Sequence, residues 1–332
     1  MKVAISGFRH SHTNAITQQI RQYPQLQIVA ASESHPEACQ EIIKSSGVTI
    51  THPSLDAMLD SVEFDALVIG DVFVDRGAQV IKALQAGKHI LADKPLCTRL
   101  DEMEQIRALA KKQNRSVLVA FTLRYHASWQ TARKMLRDGA IGTIATGNVL
   151  GQHGLNYQVG RPAWYFEKDR HGGTIVDLMV HGIDSLYYLT GQPVVEVIAA
   201  RAWHVEPDEA PFFQDVAQAF FRLKNDIGIT MEASYKTPRG HNPVWEIHLW
   251  GTAGDIVILS SGQITLRRHN EPAQQLDSKI ENKTNIVEDF IGETMGLSGH
   301  QQELTTAESL DASEKAVLAQ VAADKRQAYV KV

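Results

Sequence analysis

The tripeptide Asp93-Lys94-Pro95 contains the first group in this chain that could do chemistry. It follows an apolar run, 88–92, typical of a short strand, and open α/β sheets bind ligands where such strands end. Proline fixes its own φ and restricts the residue before it to extended geometry, so the backbone sets the direction of Lys94. An ammonium held there can stabilise a developing oxyanion. The alternative is a solvated lysine in a surface turn.

A second pair of candidate groups lies in the segment 172–184. Asp177 and His181 are four residues apart, so on a helix they share a face, where the carboxylate can orient the ring and raise its basicity. Gly172 and Gly173 precede them and allow a close approach of the backbone. The apolar neighbours predict a partly buried pair, which favours a proton-transfer role over an ordinary helix-stabilising pair.

The start of the chain has the order strand, turn, helix and strand, which is that of a dinucleotide-binding unit. Only Gly7 remains of the usual three glycines, and Phe8, Arg9 and His10 follow it. A second apolar run, 26–31, ends near Glu33. A carboxylate there binds ribose hydroxyls and repels a 2′-phosphate, so the sequence favours NAD over NADP.

The elements that must position these groups fall into two patterns, with a boundary near residue 122. The first alternates strands with helices, which predicts a parallel sheet covered on both faces. The second has runs of period two, which predict a mostly antiparallel sheet carrying a helix at 174–189. The predicted strands are 3–5, 27–31, 66–70, 89–91, 117–121, 144–150, 194–202, 217–223, 227–235 and 244–250, and the other predicted helices are 36–46, 76–86, 100–113, 128–138 and 309–328.

Composition narrows the class of protein. The chain has 332 residues, 43% hydrophobic and 21% charged, with a net charge of −5, so no broad electrostatic case for nucleic acid exists. Only two cysteines occur, and no apolar run approaches the roughly 20 residues that span a bilayer. We therefore expect a cytoplasmic protein without a membrane segment. His10, His12, His35 and His52 suggest no shared ligand geometry, so no metal is predicted.

Taken together, these motifs resemble those of the Gfo/Idh/MocA family, the glucose-fructose oxidoreductase and inositol dehydrogenase group. Asp93-Lys94-Pro95 is similar to the family's Glu-Lys-Pro. The matching stretches, in the family's order, are 121–125, 138–144, Trp164, Gly172-Gly173 with Asp177 and His181, and the late turn 249–254. The chain departs from the family at the first turn, and at 71–76, where the family usually has Thr-Pro-Asn and then a histidine.

The resemblance implies an NAD-dependent dehydrogenase or reductase acting on a secondary hydroxyl or carbonyl of a sugar, cyclitol or related polyol. It implies a Rossmann domain at 1–122, an α+β domain at 123–332, and a homodimer or homotetramer. The implied catalytic residues are Lys94, Asp177 and His181; the cofactor residues are Gly7, Phe8, Arg9, His10, Glu33, Asp71 and Lys94; and the substrate residues are Arg124, Trp164, Asp177 and His181. Two alternatives stay open: a non-catalytic sugar or nucleotide sensor, and a lyase or hydrolase that uses bound NAD transiently.

Overall fold

The computed structural model describes residues 1–35, 38–39, 45–278 and 284–325, which divide into two compact units. Unit 1 comprises the described residues of Met1–Ala120, Asp169–Gly172 and Asn285–Ser313. Unit 2 comprises the described residues of Phe121–Lys168, Gly173–Thr284 and Glu314–Val332. The division therefore differs from a single cut at residue 122, because two later segments pack with unit 1.

Unit 1 is built on a five-stranded parallel sheet with the order β2-β1-β3-β4-β5. A single parallel bridge between Ser32 and His52 lies beside β2. Most of the strand residues are buried, as expected for a parallel sheet that is covered on both faces. The strands are β1 (Lys2–Ser6), β2 (Gln27–Ser32), β3 (Ala66–Ile69), β4 (His89–Ala92) and β5 (Val117–Val119).

Helices alternate with these strands, as predicted. They are α1 (His12–Ile20), α2 (Leu55–Ser61), α3 (Phe73–Gln85) and α4 (Leu100–Gln113), and later in the chain α7 (Ile286–Met295) and α8 (Thr306–Asp324). The predicted helix 36–46 lies largely outside the described residues. Helix α4 ends at Asn114, which adopts the left-handed conformation (φ 50°) that terminates many helices. No helix in the described part of the chain is long and apolar enough to cross a membrane.

The free edge of the unit 1 sheet is covered by side chains of α8. The backbone N–H groups of Val117 and Val119 donate to Thr306 Oγ1 (2.8 Å) and Ser309 Oγ (3.2 Å). These contacts satisfy edge groups of β5 that would otherwise be open to pairing with another chain.

Unit 2 contains an eight-stranded sheet with the order β13-β12-β11-β10-β6-β9-β8-β7. Among the described strands of this sheet, only the β6–β9 pair is parallel, which confirms the predicted mostly antiparallel sheet. The strands are β6 (Ile144–Gly154), β7 (Val194–Trp203), β8 (Val216–Leu223), β9 (Gly228–Thr237), β10 (Val244–Gly251), β11 (Gly254–Leu259), β12 (Gln263–Arg268) and β13 (Gln274–Asp277). Its helical segments are a 3₁₀ turn (Thr122–Tyr125), α5 (Ala127–Arg137), a 3₁₀ turn (Ala163–Phe166), a π-helix (Ile175–Met179) and α6 (Val180–Thr190).

Helix α6 lies directly on this sheet because Gly182 has no side chain. A Cβ at Gly182 would be 2.8 Å from Met231 Sδ on β9 and 2.9 Å from Val149 Cγ1 on β6. The close approach buries almost the whole of α6, including His181 and Asp184.

Candidate active site

The first turn of unit 1 keeps one part of the dinucleotide fingerprint. Gly7 has φ +76°, and a Cβ there would be 2.5 Å from Asp71 Cβ. The turn therefore packs tightly against the end of β3, at the point where the strand order reverses and such sheets bind ligands. The approach of helix to strand, which the third glycine normally allows, depends here on Gly70. A Cβ at Gly70 would overlap the Thr13 side chain of α1.

Glu33 lies at the end of β2 beside this turn, with its side chain buried. Its Oε2 accepts a hydrogen bond from the Phe8 N–H (2.8 Å), and its Oε1 accepts one from the His35 N–H (2.9 Å). The carboxylate is thus fixed next to the turn, and its role as a ribose-binding acid stays a prediction. Arg9, at the position of the second fingerprint glycine, is partly exposed.

The carboxylate of Asp93, whose side chain has no exposed surface, contacts three side chains of unit 1. Its Oδ2 accepts from His10 Nδ1 (2.6 Å) and Arg76 Nη2 (3.1 Å), and its Oδ1 lies 3.1 Å from His12 Nδ1. Burial opposes the charge on Asp93, but the hydrogen bond from His10 and the charge of Arg76 hold its pKa well below the usual value. Burial lowers the pKa of His10 to about 3, against the attraction of Asp93. His10 is therefore neutral, and its Nδ1–H donates to a carboxylate.

His10, His12 and Asp93 each place one possible metal-ligand atom within 4.8 Å of the others, a grouping that the sequence did not predict. Two observations oppose a metal ion. The His10 Nδ1 is hydrogen-bonded to the same carboxylate oxygen that accepts from Arg76. A cation there would also lie beside the buried guanidinium of Arg76. We interpret the cluster as a hydrogen-bond network that joins the first turn to the end of β4.

In unit 2, Asp177 lies on the π-helix and is fully buried. Its carboxylate accepts a short hydrogen bond from the Tyr235 hydroxyl on β9. Burial, and then the charge of Asp177, raise the pKa of Tyr235 well above its usual value, so the phenol remains a donor. A π-turn departs from the predicted α-helix, and such turns occur frequently at functional sites.

Arg161 supplies positive charge near this carboxylate. Its guanidinium lies 4.8 Å from the ring centroids of both Tyr165 and Tyr235, and its Nη2 contacts His153 Nδ1 (2.9 Å). Burial works against the charge of Arg161, but the neighbouring tyrosines and Asp177 raise its pKa. A cation–π geometry of this kind, together with a nearby carboxylate, keeps a largely buried guanidinium charged.

His181 is 6% exposed and lies one turn into the same helical segment. Its ring packs edge-on against Trp245, with centroids 5.3 Å apart, and against Phe121 at 6.4 Å. These aromatic rings restrict the orientation of the imidazole.

The double glycine before the helix allows one specific contact. Gly173 has φ +113°, and a Cβ there would be 2.2 Å from the side-chain amide of Gln320. That amide oxygen accepts from the Ile175 N–H (3.0 Å) and so caps the start of the π-helix. The glycine therefore admits a cap for the helix that carries Asp177.

Arg124 and Trp164, predicted to line the substrate cleft, are both buried within unit 2. Arg124 forms an ion pair with Asp184, with Nε 2.8 Å from Oδ1 and 2.9 Å from Oδ2, and both side chains are fully buried. Trp164 is 2% exposed, and its ring packs against Tyr165 with centroids 4.4 Å apart. Both side chains are therefore buried inside unit 2, and their role toward a substrate stays a prediction.

Sequence reasoning missed several residues that surround the predicted groups: Arg76, Arg161, Tyr235 and Trp245. Tyr235 and Trp245 lie on strands β9 and β10, where aromatic residues are common, and Arg161 lies in a loop. Of these four residues, only Arg76 could have been noticed in the sequence, because it lies in the stretch 71–76 that departs from the family pattern.

The fold and these groups define a class of protein, a nucleotide-binding Rossmann domain joined to an α+β domain. The description "Oxidoreductase family, NAD-binding Rossmann fold" matches residues 1–121, and "GFO/IDH/MocA C-terminal domain" matches residues 129–257. The chain belongs to the Gfo/Idh/MocA oxidoreductase family.

Relatives with assigned activities are distant. The scyllo-inositol 2-dehydrogenase (NAD(+)) of Bacillus subtilis is 26% identical over 71% of this chain and 67% of that protein. The chain spans about two thirds of the length of the curated relatives that it matches first. A Thermotoga maritima structure described as an oxidoreductase superposes with a TM-score of 0.86 and 23% identity. The match covers 98% of this chain and 99% of that one. A levoglucosan dehydrogenase in complex with NADH and L-sorbose superposes with a TM-score of 0.79 and 19% identity. The match covers 98% of this chain and 97% of that one.

Proposed function

We propose that this protein is an NAD-dependent dehydrogenase or reductase acting on a secondary hydroxyl or carbonyl group of a sugar, a cyclitol or a related polyol. The observation that carries the proposal is Asp177. A carboxylic acid side chain without exposed surface is expensive to bury, and here it lies four residues before a nearly buried histidine. Family membership and the relatives that act on inositol and levoglucosan agree with this substrate class.

The residues of unit 1 fit a dinucleotide. Gly7 makes the tight turn, Asp71 packs beneath it, and Glu33 presents a fixed carboxylate beside the Phe8 N–H. We propose that Glu33 binds the adenosine ribose and that the Arg9 guanidinium contacts the pyrophosphate. When bound, the nicotinamide ring would exchange hydride with the substrate carbon.

Proton transfer and charge stabilisation remain for the protein. We propose that neutral His181 accepts the proton of the reacting hydroxyl during oxidation and returns it during reduction. Asp177, held by Tyr235, would keep the imidazole oriented and favour its protonated form after transfer. Lys94 would hydrogen-bond the reacting oxygen and stabilise negative charge on it.

Two substitutions test these roles. Lys94→Ala and His181→Ala should each lower turnover at least about 100-fold, the usual scale of such contributions. The assay follows NADH absorbance with a panel of cyclitols, sugars and polyols, which a thermal-shift screen with NAD first narrows. Calorimetry should show that His181→Ala still binds NADH with near-normal affinity.

The outcomes separate the alternatives. Near-normal turnover in both variants would remove the catalytic assignment. Binding of sugar and nucleotide with no turnover in the wild type would favour a sensor. Product formation without a net change in NADH would favour a lyase or hydrolase.

We also propose a homodimer or homotetramer in a reducing compartment such as the cytoplasm. A groove of about 630 Å³ crosses the sheet of unit 2 from Glu246 on β10 to Ala199 on β7, and Phe220 within it is 38% exposed. An open sheet face of this kind suits association with a second copy. Both cysteines are unpaired, as in proteins of reducing compartments. Light scattering of the purified protein tests the assembly.

A further inference from the structure

The fully buried guanidinium of Arg76 lies against the turn that carries Lys94. Its Nη1 is within hydrogen-bond distance of three consecutive backbone carbonyl oxygens, those of Asp93 (3.0 Å), Lys94 (2.5 Å) and Pro95 (3.2 Å). Its Nε donates to the carbonyl of Asp71 (2.6 Å), and its Nη2 to Asp93 Oδ2 (3.1 Å). One side chain therefore ties the end of β4 to the end of β3.

These contacts need an arginine. A buried guanidinium is costly unless acceptors surround it, and buried carbonyls at the ends of strands need donors. Only a planar fork with five N–H groups reaches carbonyls on two strands and a carboxylate at once. The Phe73 ring, 4.7 Å from Cζ, packs against the same guanidinium. Lysine would keep the charge at Arg76 but not the set of contacts.

We propose that Arg76 is a positioning residue for Lys94: by binding the carbonyls of the Asp93-Lys94-Pro95 turn, it fixes the direction in which the ammonium points. The inference rests on the proposed catalytic role of Lys94. The turn is also joined through Asp93 to His10 and His12 of the first loop.

A purely structural role is the rival explanation. Arg76 neutralises buried Asp93, and that alone would make it important for stability. The two explanations differ in what a substitution changes. Loss of charge balance lowers the melting temperature and leaves the turnover of the folded protein intact, whereas a displaced Lys94 lowers kcat even in the folded protein.

Arg76→Lys tests the proposal, because it keeps the charge and removes the fork. Arg76→His is the second variant, should Arg76→Lys fail to fold. Arg115→Lys is the matched control, since Arg115 also donates to two carbonyls of unit 1, those of Gly87 (2.5 Å) and Asn114 (3.2 Å). We expect kcat of Arg76→Lys to fall at least about tenfold, since small misplacement of a reacting group is costly. The substrate KM and the NADH affinity from calorimetry should stay within about threefold.

A double-mutant cycle separates this proposal from the proposed function. In a Lys94→Ala background, Arg76→Lys should lower kcat by less than about twofold, because the two residues act through one group. A full additional loss in that background, or an unchanged kcat with a lowered melting temperature, would overturn the positioning role. Near-normal turnover of Lys94→Ala by itself would instead refute the proposed function.

Discussion

The buried pair of Arg124 and Asp184 gives the sharpest test of how unit 2 is held together. Both side chains have no exposed surface, and the guanidinium contacts the carboxylate at 2.7, 2.8 and 2.9 Å. Asp184→Asn preserves shape but removes the charge, which leaves a buried guanidinium without its counter-ion. Breaking a buried pair in this way costs about 3–5 kcal/mol.

A loss of that size is a large part of the roughly 5–15 kcal/mol by which folded domains are stable. At about 2–4 °C per kcal/mol for a domain of this size, the melting temperature should fall by roughly 6–20 °C. Calorimetry and urea titration monitored by circular dichroism measure the change. Asp138→Asn is the matched control, because the exposed Lys134–Asp138 pair is worth at most about 1 kcal/mol.

Substitutions of the same pair show whether Arg124 stabilises unit 2 or contacts the substrate. If it anchors the unit, a double variant with Arg124→Met and Asp184→Leu should recover much of the stability, since apolar residues often replace a buried ion pair without loss. That variant should also retain turnover. A stability change under about 1 kcal/mol in Asp184→Asn, or loss of turnover in a stable double variant, would refute the reasoning and return Arg124 to the substrate contacts.

Three further predictions concern ionisation and cofactor choice. Asp177→Asn should move the acid limb of the oxidation rate to lower pH, because the carboxylate proposed to stabilise protonated His181 is lost. An unchanged pH profile would mean that another group titrates. Calorimetry should show that the protein binds NADH at least about tenfold more tightly than NADPH, and Glu33→Ala should narrow that preference. Arg9→Ala should weaken NADH binding and reduce the salt dependence of the affinity. Tighter NADH binding by Arg9→Ala would instead mean that the arginine obstructs the cofactor. The pKa of His10 is about 3 in the folded protein and near 6.5 in the unfolded protein. Between these two pH values the unfolded state binds one more proton than the folded state, so the free energy of unfolding decreases as the pH falls. His10→Gln should lower the slope of unfolding free energy against pH by up to about 1.4 kcal/mol per unit in that window, and equal slopes would refute a buried neutral His10.

Much of the fold follows from local pattern. In unit 1 the order of strands and helices can be predicted along the chain, because short apolar runs indicate strands and amphipathic stretches with helical period indicate helices. The family follows from short motifs around Lys94 and His181, because their residue types and their order are properties of the chain itself.

Tertiary structure decided the partners of the site residues. The hydroxyl that bonds to Asp177 comes from Tyr235, 58 residues later in the chain, and the imidazole that bonds to Asp93 comes from His10, 83 residues earlier. No local period encodes such distant pairs, since sheet order and helix packing bring them together. The sequence indicated no shared geometry for the histidines, whereas in the folded protein His10 and His12 both contact the carboxylate of Asp93.

The sequence by itself determined which elements form and which residues could do chemistry, because propensity, periodicity and turn geometry act over a few neighbours. Only the tertiary structure decided the charge state and direction of those residues. The pKa of a carboxyl or imidazole depends on burial and on charges brought from elsewhere in the chain. Arg76 illustrates this: its sequence context marks only a departure from the family, and its contacts with three carbonyls of the Lys94 turn exist only once β3 and β4 lie side by side.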